Sequence, residues 1–145
     1  MNCRIIDIHT HIYPVALARR AMEVTGHEND DFKKLPIREN LLARMQEAGV
    51  DISVNLPVVS KPQNQAEVNR FAKESARKNI IPFGGLHPDC ENVIEELEKL
   101  KDMEMAGIKF HPPFQKVHLE DPKYEEMWRK INELGFPVLI HMGTA

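Results

Sequence analysis

Strand-like and helix-like patterns alternate five times along the sequence, and this alternation limits the fold more than any other feature. The strand-like runs are rich in apolar residues and lie at 5–11, 51–57, 79–86, 106–111 and 136–141. Apolar residues at helical spacing fill the intervals, as between Ile37 and Ala48, just before Gly49. The later strands begin roughly every 30 residues, the length of one βαβ unit, and strands joined in this way lie parallel. The sequence therefore predicts a single α/β domain over 1–145, either a layer fold or a barrel.

Capping signals predict where two of the helices begin. The segment 64–67 has the form of a capping box, and Asp121 followed by Pro122 is a cap with proline in the first turn. The mixed stretch 15–24 is a further candidate helix, and the polar run 26–31 after it predicts an exposed loop.

Composition and charge disfavour several functional classes. With 42% apolar and 28% charged residues, the 145-residue chain has the balance of a soluble globular protein. The net charge of -3 and the mixed signs form no basic stripe, so nucleic acids and anionic membranes are not expected partners. No apolar run approaches the roughly 20 residues of a membrane span, and no signal-peptide pattern opens the chain, which predicts a cytoplasmic protein. Cys3 and Cys90 are far apart in sequence and are expected to be free thiols.

Ionisable side chains collect at the carboxyl ends of the predicted strands. They are His9 and His11 in the first strand, His87 in the third, Lys109 and His111 in the fourth, and His141 in the fifth. In parallel barrels, active sites are assembled at this end of the strands. The recurrence favours a metal site over a collection of solvated or core histidines. His27 and His118 fit no strand end and are expected at the surface.

The first strand carries the densest group of these side chains. Alternate residues of an extended strand share a face, so Asp7, His9 and His11 are expected to point one way, opposite Ile6 and Ile8. Two imidazoles about 7 Å apart along one face can lean onto the same divalent ion. The stretch therefore predicts the first part of a metal site.

Four motifs extend this pattern along the chain. They are Asp-Ile-His-Thr-His at 7–11, Gly-Leu-His-Pro-Asp at 85–89, Gly-Ile-Lys-Phe-His-Pro at 107–112 and Pro-Val-Leu-Ile-His-Met-Gly at 137–143. Together they resemble the amidohydrolase superfamily, in particular the amidohydrolase-related branch that includes aminocarboxymuconate-semialdehyde decarboxylase. The resemblance implies a parallel (β/α)8 barrel of the TIM type with a divalent metal at its mouth. The chain would supply about the first five β/α units of that barrel.

The resemblance also implies roles for individual residues. His9, His11 and His141 match the positions of metal ligands, with zinc expected and manganese as the alternative. Lys109 lies where some relatives carry a carboxylated lysine that bridges two metals, although a free lysine contacting a substrate carboxylate fits equally well. His111 would line the pocket beside it. Asp7 is expected in a second layer that orients the ligands, and His87 in that layer or in the pocket.

Family members also use a histidine after the sixth strand and an aspartate after the eighth, and a complete barrel needs about 200 to 250 residues. The chain is therefore expected to be the front part of a barrel enzyme, as a truncated gene product or a partial chain. For the complete barrel the expected activity is metal-dependent hydrolysis, in which a metal-activated water attacks an amide, ester or lactone carbonyl. The substrate is expected to be a small molecule bearing a carboxylate or carbonyl group.

Three alternatives stay open at the level of sequence. The first is a decarboxylase or hydratase of the same family. The second is a TatD-like nuclease, which shares the His-x-His and Gly-x-His-Pro motifs but has a glutamate ligand where this chain has Lys109. The third is a half-barrel without catalytic activity that serves as an assembly or binding subunit, and formation of a homo-oligomer also stays open.

Overall fold

The computed structural model describes residues 3–24 and 32–143, so the predicted loop at 26–31 and His27 lie outside the described residues. Strands and helices alternate as predicted. The strands are β1 (Ile6–Thr10), β2 (Ile52–Asn55), β3 (Ile80–Pro82), β4 (Gly84–Gly85), β5 (Ile108–Phe110) and β6 (Val138–Ile140). The α-helices are α1 (Val15–Val24), α2 (Arg38–Ala48), α3 (Gln65–Ser75), α4 (Val93–Asp102), α5 (Pro112–Gln115) and α6 (Glu125–Glu133). Single 3-10 turns lie at Phe32–Lys34, Pro62–Asn64 and Pro122–Tyr124.

The strands form two parallel sheets, ordered β1-β2-β3 and β4-β5-β6, because the third predicted strand is divided at Phe83. Proline has no N–H to donate to a ladder, and Pro82 closes β3. Hydrogen bonds nevertheless cross the division: the Phe83 N–H donates to the Asn55 carbonyl at 3.0 Å, and the Ala106 N–H donates to the Pro82 carbonyl at 2.9 Å. The two sheets are therefore joined edge to edge, in the same order as the chain.

The main core lies between the second sheet and the helices that follow its strands. Ile108 and Phe110 of β5 are fully buried, and the Phe110 ring lies 5.5 Å from that of Trp128 on α6. Because successive side chains of a strand alternate between faces, Lys109 and His111 are directed away from this core. The packing of β5 therefore assigns its ionisable residues to the opposite face of the sheet.

The first strand is less regular than its sequence predicts. The pairing of β1 with β2 shifts register between Asp7 and Thr10, so that one extra residue of β1 lies opposite β2. The expected strict alternation of Asp7, His9 and His11 is interrupted for this reason. At the irregularity the His9 N–H donates to Asp7 Oδ1 at 3.0 Å.

The predicted helix ends are mostly confirmed, with one correction. Gly49 ends α2 with φ of 68°, and the Asp121 side chain accepts from the Lys123 N–H at the start of the turn before α6. The prediction of a capping box at 64–67 is wrong, because the Asn64 side chain makes no capping hydrogen bond. The 3-10 turn before α3 holds Asn64 at φ -91° and ψ -6°, whereas an N-cap residue typically has extended backbone. The helix predicted at 15–24 is confirmed as α1.

The two cysteines and the lengths of the helices complete the description of the fold. Cys3 is exposed and Cys90 is half-buried, and both are free thiols as predicted. Within the described ranges, no helix combines the length and apolar character needed to cross a membrane.

We expect Gly107→Ala to lower the free energy of unfolding by about 3 kcal/mol, the upper end of the usual cost of overpacking. A Cβ at Gly107 would overlap the Phe83 ring and lie 2.7 Å from the Pro137 carbonyl oxygen, so backbone would have to move. Urea unfolding followed by circular dichroism measures the loss. The matched variant is Gly84→Ala. The three atoms nearest to its Cβ would all belong to the Leu100 side chain rather than to backbone, so its loss of stability should be clearly smaller. Equal losses in the two variants would contradict this packing argument.

Candidate metal-binding site

The carboxyl ends of β1, β5 and β6 bring five ionisable side chains together. They are His9, His11, Lys109, His111 and His141. Burial is the largest cause that lowers the pKa of His9, of His11 and of His111. The charges of Lys109 and His141 lower the pKa of His9 and that of His11 further, and the charge of His11 adds to the lowering at His111. Residues from distant parts of the chain therefore share one electrostatic environment, at the end of the strands where the sequence predicts a site.

The two histidines of the first strand are in direct contact. His9 Nε2 and His11 Nε2 are 3.1 Å apart, and His11 Nδ1 lies 2.7 Å from the carbonyl oxygen of Leu56. Because a carbonyl oxygen only accepts, Nδ1 of His11 carries the proton and donates this bond. Burial lowers the pKa of His11 to about 4, so its ring is neutral at pH 7. The lone pair of its Nε2 is therefore available and faces His9.

This pair fits a divalent metal in donor type and in spacing. Neutral imidazole nitrogens bind zinc at 2.0–2.1 Å, and two ligands of a tetrahedral ion at that distance are about 3.3 Å apart. The Nε2 separation of 3.1 Å is close to this value. No third ligand from the described part of the chain lies close enough to this pair to complete a site. Across residues 3–24 and 32–143, no three His, Cys, Asp or Glu side chains are grouped closely enough to hold a metal ion. Among the described residues, His9 and His11 thus form a pair with the spacing of two metal ligands, and His141 acts on both electrostatically.

Lys109 and His111 contribute two buried polar atoms without partners. Lys109 is 1% exposed, and neither its Nζ nor His111 Nδ1 has a hydrogen-bond partner among the described residues. Burial lowers the pKa of Lys109, and burial followed by the charges of His141 and Lys109 lowers that of His111 to about 4. Buried polar atoms in proteins are almost always paired, so both atoms can accept a hydrogen-bond partner from outside the described residues.

The His111 ring is held between two other rings. Its centroid lies 4.1 Å from that of Phe114 and 4.0 Å from that of His141, with interplanar angles of 4° and 10°. This stack fixes the plane of the imidazole and leaves only its edge atoms free for hydrogen bonding. Phe114 belongs to α5, a short helix that the sequence analysis did not predict.

A buried glutamine ties three strand ends together at this position. Gln115 Oε1 accepts from the His111 N–H at 3.0 Å, and its Nε2 donates to the carbonyls of Leu86 at 2.7 Å and Val59 at 3.0 Å. The bonds connect the segments after β2, β4 and β5. Gln115 therefore fixes the backbone that carries His111.

Two further buried amides hold the end of β4. Asn69 of α3 donates to the Gly85 carbonyl at 2.9 Å and accepts from the Gly85 N–H at 2.8 Å. Gln65 accepts from the His87 N–H at 2.8 Å. Gln65, Asn69 and Gln115 were not among the site residues predicted from the sequence. For Asn69 the sequence did hold an indication, because this polar residue interrupts the apolar face of α3 next to Val68.

Not all the predicted site residues join this group. His87 is buried, but its ring Nδ1 accepts from the Asp89 N–H at 3.2 Å, in the loop after β4. The Asp7 carboxylate engages the backbone of His9 rather than an imidazole. The side chain of His118 is 87% exposed, as expected for a surface residue.

Comparison with known proteins gives one family. The amidohydrolase family model matches residues 6–145, and no curated protein matches the sequence. Similar solved structures include the IDCase of Metarhizium anisopliae in apo form, at 14% identity with a TM-score of 0.70. They also include 4-oxalomesaconate hydratase from Rhodopseudomonas palustris, at 25% identity with a TM-score of 0.65. A third is 5-carboxyvanillate decarboxylase from Sphingomonas paucimobilis, at 15% identity with a TM-score of 0.64.

These likenesses extend over nearly all of this chain but not over all of theirs. The match with the IDCase covers 97% of this chain and 50% of the IDCase chain. For the hydratase the two shares are 95% and 52%, and for the decarboxylase they are 95% and 51%. The chain therefore spans about half the length of the structures that it resembles. The predicted fold, part of a parallel α/β barrel of the TIM type, is confirmed.

Proposed function

The chain belongs to the amidohydrolase family, and on that basis we propose that it forms the first part of the active site of a metal-dependent hydrolase. The proposed reaction is hydrolysis of an amide, ester or lactone carbonyl in a small molecule. The observation that carries the proposal is the contact between His9 and His11, with Nε2 atoms 3.1 Å apart and the His11 tautomer fixed by the Leu56 carbonyl.

His9 and His11 would hold a divalent metal, zinc in this proposal, with His141 as a third ligand. When bound, such an ion lowers the pKa of a coordinated water toward 7 and polarises a carbonyl oxygen. The carbonyl of Leu56 keeps Nε2 of His11 unprotonated for this purpose. Such second-layer bonds commonly set the tautomer and direction of ligand histidines.

Lys109 and His111 would bind the substrate. Lys109 Nζ and His111 Nδ1 are buried and lack partners among the described residues, so an oxygen of a bound substrate would satisfy both. The ring stack keeps the His111 edge in place, and Gln115 holds its backbone. A carboxylate or carbonyl oxygen of a small molecule would accept from Lys109 Nζ, and from His111 Nδ1 in the tautomer that carries its proton there. Because the chain spans about half of the similar structures, the proposed catalysis concerns the complete barrel.

A second candidate reaction is decarboxylation or hydration by the same residues. It is favoured by the enzymes with similar structures, which include a hydratase at 25% identity and a 5-carboxyvanillate decarboxylase. A structurally similar 2,6-dihydroxybenzoate decarboxylase from Rhizobium adds to this group. Product analysis with a lactone and with an aromatic carboxylic acid would separate the two candidates for the complete barrel.

The proposal is tested by the metal content of the purified 145-residue chain. Elemental analysis should find near-stoichiometric zinc or manganese in the unaltered protein. The control is the double variant His9→Ala, His11→Ala, in which the metal should be lost. Metal no higher than in the control would reject the proposed site.

A further inference from the structure

A cavity of about 280 Å³ is lined by residues of α1 and α3. The segment that joins β1 to α1 and the end of β2 complete its walls. None of the five side chains grouped at the candidate metal-binding site is among its described lining residues. The cavity is therefore a separate feature of the fold.

Apolar side chains provide much of the cavity wall. Ile12 and Pro57 are buried, Val68 and Phe71 of α3 are half-buried, and Leu17 of α1 is exposed. Such walls favour a ligand whose own surface is largely apolar, because binding removes that surface from water. The volume corresponds to about nine water molecules at about 30 Å³ each, so the ligand is small.

Asn55 adds a buried hydrogen-bond donor to this wall. It is 1% exposed, and its Oδ1 accepts from the Ile12 N–H at 3.2 Å. Because a backbone N–H only donates, this bond fixes which end of the amide is the oxygen. The other end, Nδ2, has no hydrogen-bond partner among the described residues. A buried donor without a partner is costly, so an acceptor oxygen of a bound molecule would lower the free energy of the complex.

Charged side chains of α3 determine which kind of acceptor fits best. Glu67, Arg70 and Glu74 are exposed, line the cavity and follow the spacing of one helix face. Two carboxylates and one guanidinium give this wall a net negative charge, which disfavours an anionic ligand. An uncharged carbonyl oxygen is therefore a better acceptor here than a carboxylate.

We propose that this cavity binds a small, largely apolar molecule with an uncharged carbonyl group, whose oxygen accepts a hydrogen bond from Asn55 Nδ2. None of the residues that hold the metal or the substrate in the proposed function lines the cavity. The inference therefore goes beyond that function and does not depend on it.

The test uses cyclohexanone as the probe, because it combines an apolar ring with an uncharged carbonyl and has no bond that the proposed hydrolase would cleave. NMR titration of the isotope-labelled, full 145-residue chain follows the side-chain amide resonance of Asn55. We expect this resonance to shift and to reach saturation as the ketone is added. Absence of a saturable shift would overturn the proposal.

Asn55→Asp removes the donor but keeps an oxygen for the Ile12 N–H. The affinity for cyclohexanone, followed by the backbone resonances of Val68 and Phe71, should fall by about 5-fold or more, the effect of one hydrogen bond. The matched control is Asn132→Asp, an exposed asparagine on α6, which should leave the affinity unchanged. Equal effects of the two substitutions would contradict the role of Asn55.

Val68→Phe tests the cavity with Asn55 left in place. Its larger side chain would occupy part of the cavity, so the saturable shift of the Asn55 resonance should be lost. Circular dichroism verifies that the variant is folded. A folded Val68→Phe variant that binds cyclohexanone as the unaltered chain does would overturn the proposal.

Two further measurements separate this cavity from the candidate metal-binding site. Cyclohexanecarboxylate carries a charge on the same ring and should bind more weakly than cyclohexanone; equal or tighter binding would overturn the preference for an uncharged ligand. The double variant His9→Ala, His11→Ala should bind cyclohexanone as the unaltered chain does. Loss of cyclohexanone binding in this variant would place the ketone at the metal-binding site and overturn the proposal.

Discussion

His9→Ala and His141→Ala are each expected to weaken zinc binding by about 10-fold or more. Loss of a residue that merely orients a ligand typically costs 10-fold to 100-fold in metal affinity, so loss of a ligand should cost at least as much. The two residues test different parts of the site, because His9 contacts His11 whereas His141 stacks on His111. Competition with a chromogenic chelator measures the affinity.

The matched control for these variants is His118→Ala. The His118 side chain is 87% exposed and lies 3.5 Å from Glu120, so its loss should leave zinc affinity unchanged. Unchanged affinity in both His9→Ala and His141→Ala would remove the site as proposed. A loss confined to His9→Ala would leave the pair of His9 and His11 and exclude His141 as a ligand.

Gln115→Ala is expected to lower the free energy of unfolding by about 3 kcal/mol, because it removes three hydrogen bonds worth about 1 kcal/mol each. It also leaves the Leu86 and Val59 carbonyls and the His111 N–H without this partner inside the protein. Gln115 is 5% exposed, so water reaches these groups poorly. The midpoint and slope of urea unfolding measure the change.

Gln46→Ala on the exposed face of α2 is the control for Gln115→Ala. An exposed substitution of this kind usually changes stability by less than about 0.5 kcal/mol. Similar losses in the two variants would show that Gln115 does not hold the strand ends together. Gln115→Glu should be at least as destabilising as Gln115→Ala, because it places a carboxylate against two carbonyl oxygens.

Local sequence patterns were sufficient for the order of elements and for the ends of most of them. Alternation of Ile108 and Phe110 with Lys109 and His111 already indicates which side chains of β5 are buried against helices. Local sequence patterns gave wrong predictions where contacts with neighbouring elements override the preference of the local sequence. The third strand is divided because β3 and β4 pair with different neighbours, and Asn64 does not cap α3 because a 3-10 turn precedes it.

The sequence by itself determined that histidines and a lysine end the strands of a parallel α/β fold, since hydrophobic periodicity and chain-breaking residues act locally. Only the tertiary structure decided how these side chains meet. The His11 bond to Leu56 joins positions 45 residues apart, and the Gln115 bond to Val59 joins positions 56 apart. The stack of Phe114, His111 and His141 likewise joins two separate strand ends. Such contacts depend on the paths of loops and the rotamers of side chains, which packing of the whole fold selects and which local spacing does not encode.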